Sequence, residues 1–246
     1  MRKHLSLLLA VLMVISLCGC GTGTSKGTNT SSAGTQNTET IAGSKTEPAQ
    51  PVTSDDSSGN TSEQAETSGQ PTSDTKILVV YFSRTGEQYT VGVIDEGNTA
   101  IVAEMIAEKT GADLYEILPE NDYPYTYSAL TDVAKQEQND NARPTIRGDL
   151  PDVSGYDTIF IGAPVWWGDW PMICYTFFES VDLSGKSLVP FSTHEGSGLS
   201  GFDKKLAAAV LGATVLTGQA FRGNDCQNDK ASVESNIQDW LNDLGY

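Results

Sequence analysis

The last 172 of this chain's 246 residues carry the feature that most limits the fold: apolar, β-rich runs alternate with amphipathic stretches, five of each. Ile77 to Phe82 is apolar throughout, as expected of a strand covered on both faces. Ile101, Val102, Met105 and Ile106 then recur at helical spacing, with Asn98 placed to cap the helix and Gly111 to stop it. Asp113 to Leu118 reads as a second strand and Tyr127 to Gln138 as a polar helix. Thr158 to Ile161 reads as a third strand, running into Gly162-Ala163-Pro164. A helix from Met172 to Val181 and a strand from Leu188 to Ser192 follow. A further helix shows Phe202, Leu206, Ala209, Val210 and Ala213. Val215 to Ala220 is the last strand, and Val233, Ile237, Trp240, Leu241 and Leu244 mark the final helix. This order predicts an α/β fold, a parallel sheet with helices on both faces joined by right-handed crossovers. Pro190 disagrees with an interior strand, because it cannot donate a ladder bond, so a bulge or local break is expected there.

What precedes the domain differs in kind. Arg2 and Lys3 lead into an apolar run of thirteen residues, Leu5 to Leu17, too short to span a bilayer as a helix. With Leu17-Cys18-Gly19-Cys20, residues 1–19 read as an export signal. The ending resembles the bacterial lipoprotein signal, which is cut before a Cys that is then lipidated; here that residue is Cys20. Gly21 to Asp74 has no aromatic residue and little aliphatic beyond Ile41 and Val52, which predicts a disordered linker over 20–74. Its r.m.s. reach would be about 40 Å. The expected location is the cell membrane, lipid-anchored, on the extracytoplasmic side, with a domain at 75–246.

That domain holds 11 Lys and Arg against 25 Asp and Glu, a formal charge of 11 − 25 = −14. Such a surface repels phosphate backbones and anionic lipid heads, which argues against nucleic acid and against any membrane contact beyond the anchor. Its two cysteines, Cys174 and Cys226, could pair in an exported protein but are too few for a disulfide scaffold. Cys174, one turn into a helix, reads as a buried small hydrophobe.

In doubly wound sheets ligands bind beyond the carboxyl ends of the strands, where the winding reverses. The loops there are the unusual parts of this sequence. After the first strand comes Ser83-Arg84-Thr85-Gly86, and the first helix opens at Asn98-Thr99, an arrangement suited to a phosphate. No Walker lysine motif is present. After the third strand comes Pro164-Val165-Trp166-Trp167-Gly168-Asp169-Trp170, where three tryptophans suggest a flat aromatic ligand. After the fourth comes Ser192-Thr193-His194-Glu195-Gly196-Ser197-Gly198, which can bring backbone close to a ligand.

These motifs, Tyr81 to Gly86, Gly162 to Trp167 and Pro190 to Gly198, resemble those of the flavodoxin-like family over the whole domain. The resemblance implies five parallel strands in the order 2-1-3-4-5 and noncovalently bound FMN. Ser83, Arg84, Thr85, Asn98 and Thr99 would hold the FMN phosphate. Pro164, Val165, Trp166, Trp167 and Gly168 would line the isoalloxazine, and Thr193, His194, Gly196, Ser197 and Gly198 would close its far side. Two features depart from the family pattern. Eleven residues, Glu87 to Gly97, separate Gly86 from Asn98 and read as a small hairpin around Val91 to Ile94. The loop after strand four lacks the Tyr that flavodoxins often stack on the flavin, leaving His194 to cover that face or the face open.

The resemblance implies an electron carrier, passing electrons to a redox partner protein or small acceptor, with no catalytic or metal-binding residue assigned. An FMN-dependent NAD(P)H:quinone oxidoreductase is the alternative on the same scaffold, although no nicotinamide site is evident. A flavin-free ligand-binding module is the alternative of another class. Gly196 to Gly201 fits Gly-x-Gly-x-x-Gly, but no acidic residue ends the next strand to hold a ribose. A serine hydrolase would need His194 and Ser197 of one short loop in triad geometry.

Overall fold

The computed structural model describes residues 75–246. The expected signal at 1–19, the lipidation site Cys20 and the linker through residue 74 lie outside the described residues. Strand β1 (Ile77–Tyr81) is buried along its whole length because successive side chains serve two cores. Ile77, Val79 and Tyr81 join one core; Leu78, Val80 and then Phe82 join the other. The predicted excursion is a hairpin, β2 (Gly86–Gln88) paired antiparallel with β3 (Gly92–Ile94). Then come α1 (Asn98–Thr110), β4 (Asp113–Glu116), α2 (Tyr127–Asp140), β5 (Thr158–Pro164) and α3 (Met172–Ser180). The chain continues through β6 (Ser187–His194), α4 (Phe202–Ala209), β7 (Thr214–Val215) and β8 (Gln219–Arg222). It ends with α5 (Gly223–Asn228) and α6 (Lys230–Leu244).

The main sheet is parallel in the order β4-β1-β5-β6-β7, with β8 also paired to β6, which is the expected 2-1-3-4-5 winding. Helices α1 and α6 pack through Ile101, Ile106, Ile237 and Trp240 on one face of the sheet. Helices α3 and α4 cover the other through Ile173, Phe177, Phe202 and Leu206. Each fully buried side chain of this size contributes about 1.5–3 kcal/mol.

Three details differ from the sequence reading. The last strand, expected as Val215 to Ala220, is two strands. Leu188 pairs with Val215 but Phe191 pairs with Gln219, so the edge carries one residue more than β6 over this stretch. The carbonyl of Leu188 accepts from Leu216 N–H at 2.8 Å, so Leu188 and, two residues on, Pro190 present their backbone polar groups to the edge. Pro190 has no N–H to give there, and Gly218 fills the gap; a Cβ on Gly218 would lie 2.6 Å from the Pro190 carbonyl oxygen. The expected break therefore falls on the neighbouring edge while β6 runs on. Second, the cap of α1 is Gly97 and not Asn98. Gly97 lies so close to Ser83 that a Cβ would sit 2.1 Å from its Oγ. Third, α5 is a short helix that no periodicity announced.

Cys174 and Cys226 are free and buried, one in each core on opposite faces of the sheet, so they cannot pair with each other. Burial pushes both thiols up, Cys226 to about 12, as expected of small apolar fillers. Among the described residues no helix is long and apolar enough to cross a membrane.

Candidate functional site

The winding reverses beside β1, where the chain leaves toward β4 and returns across to β5. At the carboxyl ends of β5 and β6 opens a cleft of about 510 Å³. It gathers nine residues expected from sequence: Asn98, Pro164, Val165, Trp166, Trp167, Gly168, Thr193, His194 and Ser197. Ser83, Arg84 and Thr85 line a second cleft of about 540 Å³, together with Gly97. The two clefts share no lining residue; at the amino terminus of α1, Gly97 lines one and the next residue, Asn98, lines the other. Thr99, Gly196 and Gly198 line neither.

Ser83 Oγ accepts the Ala100 N–H at 3.1 Å and so caps α1 from the loop after β1, leaving its own proton to donate. Behind it the buried hydroxyls of Thr99 and Thr193 bond each other at 2.8 Å, tying α1 to β6. The Asn98 side-chain oxygen accepts from Gln227 at 2.8 Å. Arg84 is placed differently. Its guanidinium donates to the carbonyls of Glu87 (2.7 Å), Pro124 (2.8 Å) and Tyr125 (2.6 Å). Glu87 in turn accepts the N–H of Tyr127, the first residue of α2, at 2.8 Å. These bonds fasten the hairpin to the start of α2.

Residues Trp166 to Asp169 form a tight turn, closed by N–H to C=O bonds of 3.0 Å in both directions. Trp167 has φ +51° and Gly168 φ +74°, the pairing a type I′ turn demands. A tryptophan at positive φ is strained, and neighbours hold it there. Its indole N–H donates to the Thr131 carbonyl at 3.0 Å, and the Lys135 ammonium lies 5.0 Å from the ring centre. Lys205 donates to the Gly168 carbonyl and, at 3.1 Å, to that of Ser200. Trp166 sits edge-on against Phe82 and Tyr123, with ring centres 5.3 and 4.9 Å away.

In the third loop, His194 Nδ1 accepts the Gly196 N–H at 2.8 Å, and burial lowers the pKa of the imidazole. The Glu195 carboxylate accepts from the Asn224 N–H at 2.6 Å and the Arg222 side chain at 3.3 Å.

Sequence reasoning missed the other wall of the cleft: Gln88, Tyr89 and Val91 of the hairpin, Tyr127, Leu130, Thr131 and Ala134 of α2, and Glu195. The four α2 residues share one helical face, so their spacing carried a signal, but nothing local said that this face meets a ligand. Acids crowd the second cleft, with Asp95, Glu96, Glu104, Glu116 and Asp122 on its walls. Burial, then Glu104, raises the Glu116 carboxyl. Burial, then Glu116 and Glu104, raise the Tyr81 hydroxyl to about 12.

A family model described as Flavodoxin (Flavodoxin_4) matches residues 76–244. The chain belongs to the flavodoxin family. Two solved structures similar to this flavodoxin are those of proteins assigned as flavoproteins. One, from Bacteroides eggerthii DSM 20697, is 31% identical with a TM-score of 0.56, the match covering 70% of this chain and 99% of that one. The other, from Bacteroides uniformis ATCC 8492, is 32% identical with a TM-score of 0.55, covering 67% and 98%. A flavoprotein in complex with FMN from Lactobacillus acidophilus NCFM is 25% identical with a TM-score of 0.49, covering 64% and 99%. A comparison with curated proteins gives no match.

These findings correct one expectation. The Bacteroides proteins are crystallised flavoproteins matched over nearly their whole length. This argues against the membrane, lipid-anchored location read from the amino-terminal segment.

Proposed function

We propose that this flavodoxin binds FMN noncovalently across the two clefts that flank the start of α1 and carries electrons between redox partners. The observation that carries the reading is the placement of a tryptophan-lined cleft beside the amino terminus of α1, beyond the carboxyl ends of β5 and β6 in a doubly wound sheet. The tryptophan-lined cleft fits the ring of the group, and at the phosphate end the fit rests on neutral donors that must outweigh the acids of the second cleft. The first N–H groups of α1, with Ser83, Thr85 and Asn98, would take the phosphate, and Gly97 leaves room that a Cβ would fill. Arg84 is committed to carbonyls and Lys230 to Glu96, so uncharged donors would do this work. Pro164 to Gly168 would lie along the flavin ring, with Thr193, His194 and Ser197 beyond it. The α2 face with Leu130 and Ala134 would exclude water from the ring.

FMN supplies one- and two-electron redox chemistry when bound; the protein positions it and sets its surroundings. The acidic domain disfavours further negative charge on the cofactor, which favours a low potential. The matched proteins are flavoproteins, in keeping with a carrier and not a dedicated reductase. The partner is a redox protein or a small acceptor.

Ser83→Ala tests the phosphate end. It removes a hydrogen bond to a dianion, so FMN should bind about tenfold or more weakly. Riboflavin, which lacks the phosphate, should bind with little change. Equal losses for both ligands would place the phosphate elsewhere.

A further inference from the structure

The hairpin inserted between β1 and α1 has one side chain whose setting matches that of Trp167. Tyr89 lines the same cleft and is 57% exposed, as Trp167 is 53% exposed. Both rings are held in place without being covered. Tyr89 stacks on Tyr127, centres 5.6 Å apart and planes at 30°, while the Trp167 indole bonds the Thr131 carbonyl. Tyr127 and Thr131 are four residues apart on α2, so the two anchors lie about 6 Å from each other along one helix face. Backbone strain marks both places. Only four non-glycine residues among those described have positive φ, and two of them are Trp167 and Thr90, next to Tyr89. Thr90, with φ +60°, centres a three-residue turn in which Val91 N–H bonds the Tyr89 carbonyl at 2.7 Å. The hairpin is kept in this shape from its base, where Arg84 and Glu87 fasten it to the 124–127 segment.

We infer that Tyr89 is a second ring-binding residue, and that it and Trp167 hold the planar ring of the ligand between them at the mouth of the cleft. This rests on the FMN reading. Flat, half-exposed aromatic surfaces on a pre-formed frame gain contact and lose little freedom when a ring covers them. The hairpin thereby supplies the aromatic contact that the loop after β6, which has no tyrosine, does not.

The experiment measures dissociation constants of the whole chain for FMN and for riboflavin. Tyr89→Ser should weaken both about tenfold and by the same factor, because the ring and not the phosphate is affected. Tyr89→Phe should restore binding to near the original value. Val93→Ser, an exposed change on the same hairpin but outside the cleft, should leave both constants unchanged. If the unaltered chain binds flavin and Tyr89→Ser binds it as tightly, the inference falls and the FMN reading stands. If Val93→Ser weakens binding as much as Tyr89→Ser, the hairpin's fold and not the Tyr89 ring is responsible, and the inference also falls. An unaltered chain that binds neither ligand overturns both readings together.

Discussion

Ser83 and Arg84 are neighbours in sequence and bond to different parts of the fold. An arginine after a strand, beside hydroxyls and a helix start, reads as an anion ligand because its charge is what a sequence displays. Its three carbonyl partners include two from residues 124 and 125, forty positions on, which only the folded chain brings near. Ser83 bonds the Ala100 N–H at the start of α1, a contact made within the loop after β1 and the helix it leads to. His194 offers a test by pH. Its Nδ1 accepts the Gly196 N–H only while the ring is neutral, and burial lowers the folded pKa below the usual value of about 6.5. The folded state thus binds this proton less readily than the unfolded chain. The associated stability is present above about pH 6.5 and is lost as pH falls through the lowered folded value. FMN affinity is expected to fall over the same window, since protonation breaks the bond that shapes the 194–198 loop. His194→Asn, which can still accept that N–H, should flatten the profile. A His194→Asn variant whose FMN affinity falls with pH as the wild type's does would remove His194 from the site.

Among the elements, those with a local pattern were legible and those built by a distant contact were not. Five strands, five helices and the hairpin were announced by apolar spacing or turn signals. The split between β7 and β8 depends on Pro190 facing Gly218, a pairing between strands that neither segment reveals alone. The cleft wall formed by α2 and the hairpin depends on Arg84 and Glu87 in the same way. The turn Trp166–Asp169 lies between these cases: its glycine was visible, its strained tryptophan was not. Gly168 has open space where a Cβ would go, so substitution there meets a conformational penalty without a clash. Gly168→Val should lower unfolding free energy by about 1–2 kcal/mol and weaken FMN severalfold through the displaced Trp167. Gly155→Val is the control, since Gly155 has equal space and no positive φ. Chemical denaturation that finds the two variants equally stable would contradict the strain argument.

At the scale of the molecule, the βα alternation pointed to where a ligand site would lie, and the loop motifs named its candidate residues. It dictates a parallel sheet, the sheet's winding has one reversal, and the loops that meet there are those rich in hydroxyls, tryptophan and glycine. What the alternation left open was which side chains form the walls and where in the cell the protein works. The location read from Cys20 is the reading that did not survive comparison. On the proposed function, the two clefts that flank the start of α1 form one FMN site. Titration of flavin-free protein with FMN, followed by flavin fluorescence and visible absorbance, tests it most directly. Saturation is expected at one FMN per chain, with emission quenched by Trp167 and its neighbours and weaker binding of riboflavin. Emission that stays at the value of free FMN throughout the titration would contradict it.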